Sequence, residues 1–128
     1  MDSFQSLIHA VSDACDRAQA GKILDAGLDV NYQNAAGCTA LMFTVMPNDF
    51  GDDNSPWAIK EMVEFLLGRG ARTDLKDEAG LTAQDYCRQL IDPEFRDKFG
   101  DSPSAKWTPE GLGHIEEMLE LLDPSLWT

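Results

Sequence analysis

The fold is decided by residues 23–41, which read ILDAGLDVNYQNAAGCTAL, and by residues 66–84, which read LLGRGARTDLKDEAGLTAQ. The second stretch repeats the pattern of the first, 43 residues further along the chain. The matched positions are Leu24 with Leu67, Gly27 with Gly70, Asn31 with Asp74, Gly37 with Gly80, and Thr39 with Thr82. Two glycines, a threonine and a leucine in one register indicate an internal repeat.

Each glycine of the repeat has a local physical reason. Gly27 and Gly70 follow predicted helices, where the left-handed residue that ends a helix costs least if it is glycine. Both should therefore have a positive φ. Gly37 and Gly80 lie in turns that lead at once into a helix, with a threonine two residues later as its hydroxyl cap. The repeating unit is therefore a helix, a hairpin-like turn and a second helix.

This unit resembles the ankyrin repeat, with its G-x-T-P-L-H-x-A opening, V-x-x-L-L helix and G-A-D-V-N ending. The opening is matched by residues 37–42 (GCTALM) and 80–85 (GLTAQD), the helix by 62–67 (MVEFLL), and the ending by 27–31 (GLDVN). Met42 and Asp85 replace the motif histidine, so its usual hydrogen bond with the threonine should be lost. The resemblance implies an all-α ankyrin-repeat solenoid.

The spacing of apolar residues and helix caps predicts where the repeats lie. Apolar positions at i, i+3, i+4 and i+7 indicate helices around residues 4–11, 59–66 and 115–122. Ser55-Pro56 and Thr108-Pro109 mark two helix starts. We predict a single domain over 1–128 with repeats at about 3–34, 35–77 and 78–123, and long insertions between the two helices of the second and third repeats.

The charge of the chain restricts its partners. Twenty-three acidic residues against ten basic ones give a formal net charge of −13 and a pI near 4.2. Direct contact with nucleic acid or anionic membranes is therefore disfavoured. The acidity either keeps a small protein soluble or matches a basic protein partner, and composition leaves both open. The sequence has neither an apolar run long enough to span a bilayer nor a signal peptide, so we expect a cytoplasmic protein.

Residues suited to chemistry are scattered in the sequence. Cys15, Cys38 and Cys87 are expected to be reduced and packed as small apolar side chains. His9 and His114 fall on the first and last repeats, and each is better explained as a structural or exposed imidazole. The Asn48–Asn54 segment faintly resembles a calcium loop but lacks its spacing and its bidentate glutamate. We predict no enzyme activity, no cofactor and no metal site.

The resemblance instead implies a protein-binding surface, because ankyrin partners usually contact the concave face. Phe43 and Tyr86 occupy outward positions after the motif-histidine slot. The remaining candidates lie on hairpin tips (Tyr32, Asp77, Glu78), at the end of the first insertion (Trp57) and within it (Asp49, Phe50, Asp52, Asp53). Phe43 packing into a neighbouring loop is an alternative. Trp57 and Trp107 are expected mainly to pin the insertions onto the helices.

These features favour an acidic inhibitor that neutralises a basic protein such as a toxin or nuclease, in the manner of an immunity protein or antitoxin. An adaptor or scaffold subunit that recruits a client without inhibiting it is the alternative. A DNA mimic is a weaker third possibility, because the acidic residues are interspersed with basic ones such as Arg69, Arg72 and Arg88.

Overall fold

The computed structural model describes residues 3–13, 16–45, 56–95 and 107–123, and over these ranges it contains helices and turns but no strand. The helices form three successive pairs, which confirms the all-α prediction. They are α1 (Ser3–Ile8, continued by a π-helical turn over His9–Asp13), α2 (Arg17–Asp25), α3 (Ala40–Val45), α4 (Pro56–Gly68), α5 (Ala83–Gln89) and α6 (Pro109–Leu121). None of these helices is long and apolar enough to cross a bilayer.

Hydroxyl and carboxylate caps set the helix starts. Asp16 accepts a hydrogen bond from the Gln19 amide at 3.1 Å, and Thr108 accepts one from Gly111 at 3.1 Å. Pro109 follows Thr108 as the first residue of α6, as predicted. The predicted start at Pro56 is also observed, whereas Ser55 lies outside the described residues. Each cap satisfies an amide that has no partner inside its own helix.

The helices pack in two layers. The first helices of the pairs contact one another in the order α1, α3, α5, and α4 contacts α6 in the second layer. Side chains that are almost wholly buried fill the space between the layers, among them Leu7, Val11, Leu41, Met42, Met62, Leu66, Ile115 and Met118. Repeats stacked in this way bury one continuous core that a single pair cannot form alone.

The two hairpin-like turns have the same internal hydrogen bonds. Asn34 Oδ1 accepts from the amides of Ala36 and Cys38 at 3.0 and 2.9 Å. Asp77, 43 residues later, accepts through Oδ1 from Ala79 and Leu81 at 2.9 and 3.0 Å. The positive φ predicted for Gly27 and Gly70 is confirmed by values of 113° and 92°, and Gly37 and Gly80 in the turns have positive values of 82° and 80° as well.

Direct contacts stack the first turn on the second. The Glu78 amide donates to the Ala36 carbonyl at 2.9 Å. The Gln33 side-chain amide bridges the turns, donating to the carbonyls of Gly37 at 2.9 Å and Lys76 at 3.1 Å. Nearby, Asn31 donates to the Gly70 carbonyl at 3.1 Å and accepts from the Arg72 amide at 2.8 Å. These bonds fix the register of one repeat on the next.

Other hydrogen bonds replace the one expected from the motif histidine. The carboxylate of Asp85 accepts from the Thr82 amide at 2.9 Å, and the Thr82 hydroxyl accepts from the Asp85 amide at 3.3 Å, forming a capping box. In the preceding repeat, the Met42 sulfur accepts from the Thr39 amide at 3.4 Å. Both helix starts therefore keep a side-chain hydrogen bond although the motif histidine is absent.

The two insertions lie where the sequence predicts, between α3 and α4 (residues 46–55) and between α5 and α6 (residues 90–108). Trp107 pins the end of the second, since its indole nitrogen donates to the Leu90 carbonyl at 2.7 Å. The same role stays a prediction for Trp57, which is 55% exposed, because the first insertion lies outside the described residues. Cys38 and Cys87 are free and buried, as expected, and Cys15 lies outside the described residues.

Gly37 and Gly80 provide a matched test of the stacking. Both have a positive φ, so alanine at either should cost about 1 kcal/mol in the free energy of unfolding. A Cβ at Gly37 would also lie 2.9 Å from the Asp77 Cα, whereas one at Gly80 would meet nothing within 4 Å. Gly37→Ala should therefore cost about 1 kcal/mol more than Gly80→Ala in urea denaturation. Equal losses would show that the turns do not depend on this close approach.

Thr73 offers a stabilising substitution. It is only 2% exposed and its hydroxyl has no hydrogen-bond partner among the described residues, whereas the equivalent residue of the first repeat is Val30. Thr73→Val should raise the free energy of unfolding by about 1 kcal/mol, because a buried unpaired hydroxyl is removed at constant shape. Thr44→Val is the control: this buried hydroxyl donates to the Ala40 carbonyl at 2.8 Å, so its removal should give no gain.

Candidate protein-binding surface

The hairpin turns (residues 31–38 and 74–81) and the first-layer helices α1, α3 and α5 form one side of the molecule, here named the inner surface. An aromatic cluster joins the first turn to two of these helices. Phe4 of α1 is 7% exposed, and the Tyr32 ring lies over it at a centroid distance of 4.8 Å and an angle of 54°. The Phe43 ring of α3 meets Phe4 edge-on at 6.3 Å. Tilted and edge-on contacts are the favoured geometries for aromatic rings.

Two predicted contact residues, Tyr32 and Phe43, have different roles in this aromatic cluster. Tyr32 is 47% exposed and presents one side of its ring to solvent. Phe43, predicted to point outward, is only partly exposed and packs against the core. It therefore supports the cluster from beneath, packed on helix α1 rather than in the neighbouring loop that the sequence left as an alternative. Phe4, the first apolar position of the helix predicted around residues 4–11, forms the base on which Tyr32 rests.

Tyr86 is the equivalent of Phe43 in the next repeat, and its hydroxyl has a partner within the chain. The phenol donates to a carboxylate oxygen of Asp77 in the second turn. Burial, followed by this bond and the charge of Asp77, raises the pKa of Tyr86 well above its usual value. Tyr86 is therefore half-buried and ties α5 to the turn, and its contact with a partner stays a prediction.

Asp77 was predicted as a partner contact, but its carboxylate is already engaged. It accepts from Tyr86, from two backbone amides of its own turn, and from the Cys38 thiol at 3.9 Å. Burial opposes ionisation, yet the donated hydrogen bonds outweigh it and hold the pKa of Asp77 below its usual value. The sequence carried a signal for this role, because Asp77 aligns with Asn34 and both residue types favour such turns.

The other predicted contact residues differ in where they lie. Glu78 is exposed, and its carboxylate bonds to none of the described residues, so it remains a candidate on the second turn. Trp57 lies at the start of α4, a second-layer helix that is not part of the inner surface. Asp49, Phe50, Asp52 and Asp53 lie outside the described residues. No cluster of three or more potential metal ligands occurs among the residues that the structure describes.

The helices of the inner surface carry little net charge. Helices α1 and α3 contain no Asp, Glu, Lys or Arg. In α5, Arg88 and Asp85 form an ion pair at 3.2 Å. The charge of this surface therefore lies in the second turn, where Asp74, Asp77 and Glu78 outnumber Lys76. Beside that turn, the surface offers a partner the exposed aromatic ring of Tyr32. Apolar and aromatic contacts of this kind commonly form the centre of protein interfaces.

The Tyr86–Asp77 bond should contribute measurably to stability. Tyr86→Phe removes it and should lower the free energy of unfolding by about 1 kcal/mol at neutral pH. The pKa of Asp77 is lowered on folding, so this contribution is present above the unfolded pKa of about 3.9 and is lost as the pH falls through the folded value. The deficit of the variant should therefore shrink below about pH 4.

Tyr32→Phe is the matched control for this measurement. It removes a phenolic hydroxyl that makes no hydrogen bond with the described residues. Its unfolding curves should follow those of the unmodified protein at every pH. A deficit for Tyr86→Phe that is independent of pH would show that Asp77 does not carry the effect.

Comparison with known proteins gives a result at the level of structure. No protein-family model matches the chain, and no curated protein is similar to it. Among solved structures it is similar to EF0377, an ankyrin repeat protein, with a TM-score of 0.51 and 28% sequence identity over 80% of this chain. The match spans 46% of that protein. The three helix pairs, the paired glycine turns and this similarity identify the chain as an ankyrin-repeat protein, a fold that serves protein–protein interaction.

Proposed function

We propose that this ankyrin-repeat domain is a non-catalytic inhibitor that binds and neutralises a basic protein. The fold supports a binding role, since ankyrin repeats are typically interaction modules. The net charge of −13 supports a basic partner, because opposite net charges attract over distances comparable to the Debye length. A toxin or a nuclease, whose own substrate is acidic, fits this description.

The observation that carries the proposal is the exposed ring of Tyr32 on a fixed base. Tyr32 rests on Phe4, and Phe4 is held by α3 through Phe43. The turn that bears Tyr32 is bonded to the next turn through Gln33 and Asn31. Because the ring is already held in place, less conformational entropy is lost when a partner covers it. Tyrosines of this kind are frequent interface anchors.

In this proposal, the net charge of the chain and the side chain of Tyr32 have different roles. The helices around Tyr32 are nearly neutral, so the overall field of the chain accelerates the encounter while Tyr32 and its neighbours determine how long the complex lasts. The acidic segment with Asp49, Asp52 and Asp53 is proposed to add to the attraction, with Phe50 entering a pocket of the partner. A high salt concentration should therefore slow association more than it accelerates dissociation.

Isolation of the partner distinguishes inhibition from recruitment. The tagged full chain is used to capture proteins from native lysate at low and high salt, and captured proteins are identified by mass spectrometry. Recovery of one basic enzyme in equal amounts, whose activity falls on addition of the chain, supports the proposal. A client that stays fully active in the complex would make the chain an adaptor instead.

Substitution of Tyr32 tests the anchor. Tyr32→Ala should weaken binding of that partner by about 2 kcal/mol, as for a central aromatic contact. Tyr32→Phe keeps the ring on Phe4 and should retain most of the affinity. Calorimetric titration gives both values, and thermal melting of each variant shows whether the fold is intact. Equal affinity of the alanine and phenylalanine variants would remove Tyr32 from the interface.

A further inference from the structure

Most of the basic side chains in the described part of the chain are neutralised within it. Five of the seven Lys and Arg residues there form ion pairs, Lys22 and Lys76 being the exceptions. Three of the pairs join second-layer helices or their ends: Arg17 with Glu61 at 3.7 Å, Arg69 with Asp25, and Lys60 with Glu117. These bases therefore offer little positive charge to a partner.

The acidic residues of the second layer are not balanced in the same way. Helix α6 has no Lys or Arg, and its Glu116 and Glu120 are exposed and form no ion pair with the described residues. They are four residues apart and so share one side of the helix. Glu64 of α4 is likewise exposed and without an ion pair. The outward side of α4 and α6 is thus negative.

An exposed tryptophan lies on the same side. Trp57 is 55% exposed and stands seven residues before Glu64, so both fall on one stripe of α4. The opposite stripe, with Met62, Val63 and Leu66, is fully buried. The Lys60–Glu117 ion pair joins α4 to α6 between these groups. We call Trp57, Glu64, Glu116 and Glu120 the outer face.

We infer that the outer face docks a Lys- and Arg-rich amphipathic segment of a protein partner, with Trp57 contacting its apolar side and the three glutamates its cationic side. The large indole ring favours burial of apolar surface and also attracts cations over its face. Carboxylates that form no ion pair with the described residues are suited to accept a cation from a partner. A basic amphipathic segment provides both kinds of group.

Charge also decides against other occupants of this face. A second copy of the chain would bring another charge of −13 to the same surface, and anionic lipid or nucleic acid would be repelled in the same way. The outer face belongs to the second helix layer, whereas the inner surface belongs to the first. This inference therefore does not require that the inner surface bind as proposed above.

The probe for the experiment is a synthetic helical peptide with leucine on one side and lysine on the other, titrated calorimetrically into the full chain at low ionic strength. Trp57→Ala should weaken its binding at least about tenfold, as for an aromatic anchor. A peptide with glutamate in place of lysine should not bind. A peptide with lysine but with serine in place of leucine should bind as weakly as the Trp57→Ala protein binds the original.

A matched pair of double variants separates local charge from net charge. Glu116→Gln with Glu120→Gln removes two charges from the outer face, and Glu78→Gln with Glu94→Gln removes two exposed charges from elsewhere. The first pair should weaken peptide binding at least about fivefold more than the second. Circular dichroism of each variant shows that the helices are retained.

Three results would overturn the inference: absence of peptide binding, equal weakening by the two double variants, or unchanged affinity in Trp57→Ala. Tyr32→Ala distinguishes the two surfaces. It should leave the affinity for the peptide unchanged even if it abolishes binding of the captured partner. If Tyr32→Ala instead weakens peptide binding as strongly as Trp57→Ala does, the peptide lies on the inner surface and the outer face is not its site.

Discussion

The structure depends on the approach of one turn to the next at Gly37. A side chain at this position would lie within 3 Å of the Asp77 backbone, so the absence of a Cβ sets the distance between successive repeats. The hydrogen bond from the Glu78 amide to the Ala36 carbonyl and the hydrogen bond from the Gln33 side chain to the Lys76 carbonyl then fix which residues of the two turns face each other. Helices α3 and α5 then meet with their buried sides aligned. Packing of the core follows from this contact between turns, because helices this short are unstable in isolation.

The turns also explain why part of the structure is readable from the sequence. Glycine at a left-handed position, a threonine cap and proline at a helix start each have a local cause, and the positive φ at Gly27 and Gly70 follows from it. The equivalence of Asn34 and Asp77 is of the same kind, since both carboxamide and carboxylate accept from amides two and four residues later.

Features that depend on contacts between residues distant in the chain were harder to predict from the sequence. The hydrogen bond between Tyr86 and Asp77 and the packing of Phe43 on Phe4 depend on where a side chain meets another element, and motif spacing does not specify that. The sequence indicates an acidic protein but not which acids lack an internal cation. That depends on ion pairs between residues such as Lys60 and Glu117, which are distant in the chain. The two faces consequently differ more than the composition implies: one offers an aromatic ring among nearly neutral helices, and the other offers carboxylates around a single indole.

The position of the two insertions has a consequence for how this protein can change over evolution. Each joins the two helices of one pair, whereas the contacts that align successive pairs lie in the turns. Lengthening or shortening a connection costs little free energy, because loop-closure entropy varies only slowly with length. Where the Trp107 indole holds the Leu90 carbonyl, the end of the second insertion is anchored independently of what precedes it. Insertions and deletions in these connections can therefore diversify the protein among its descendants while the stacked frame is inherited unchanged.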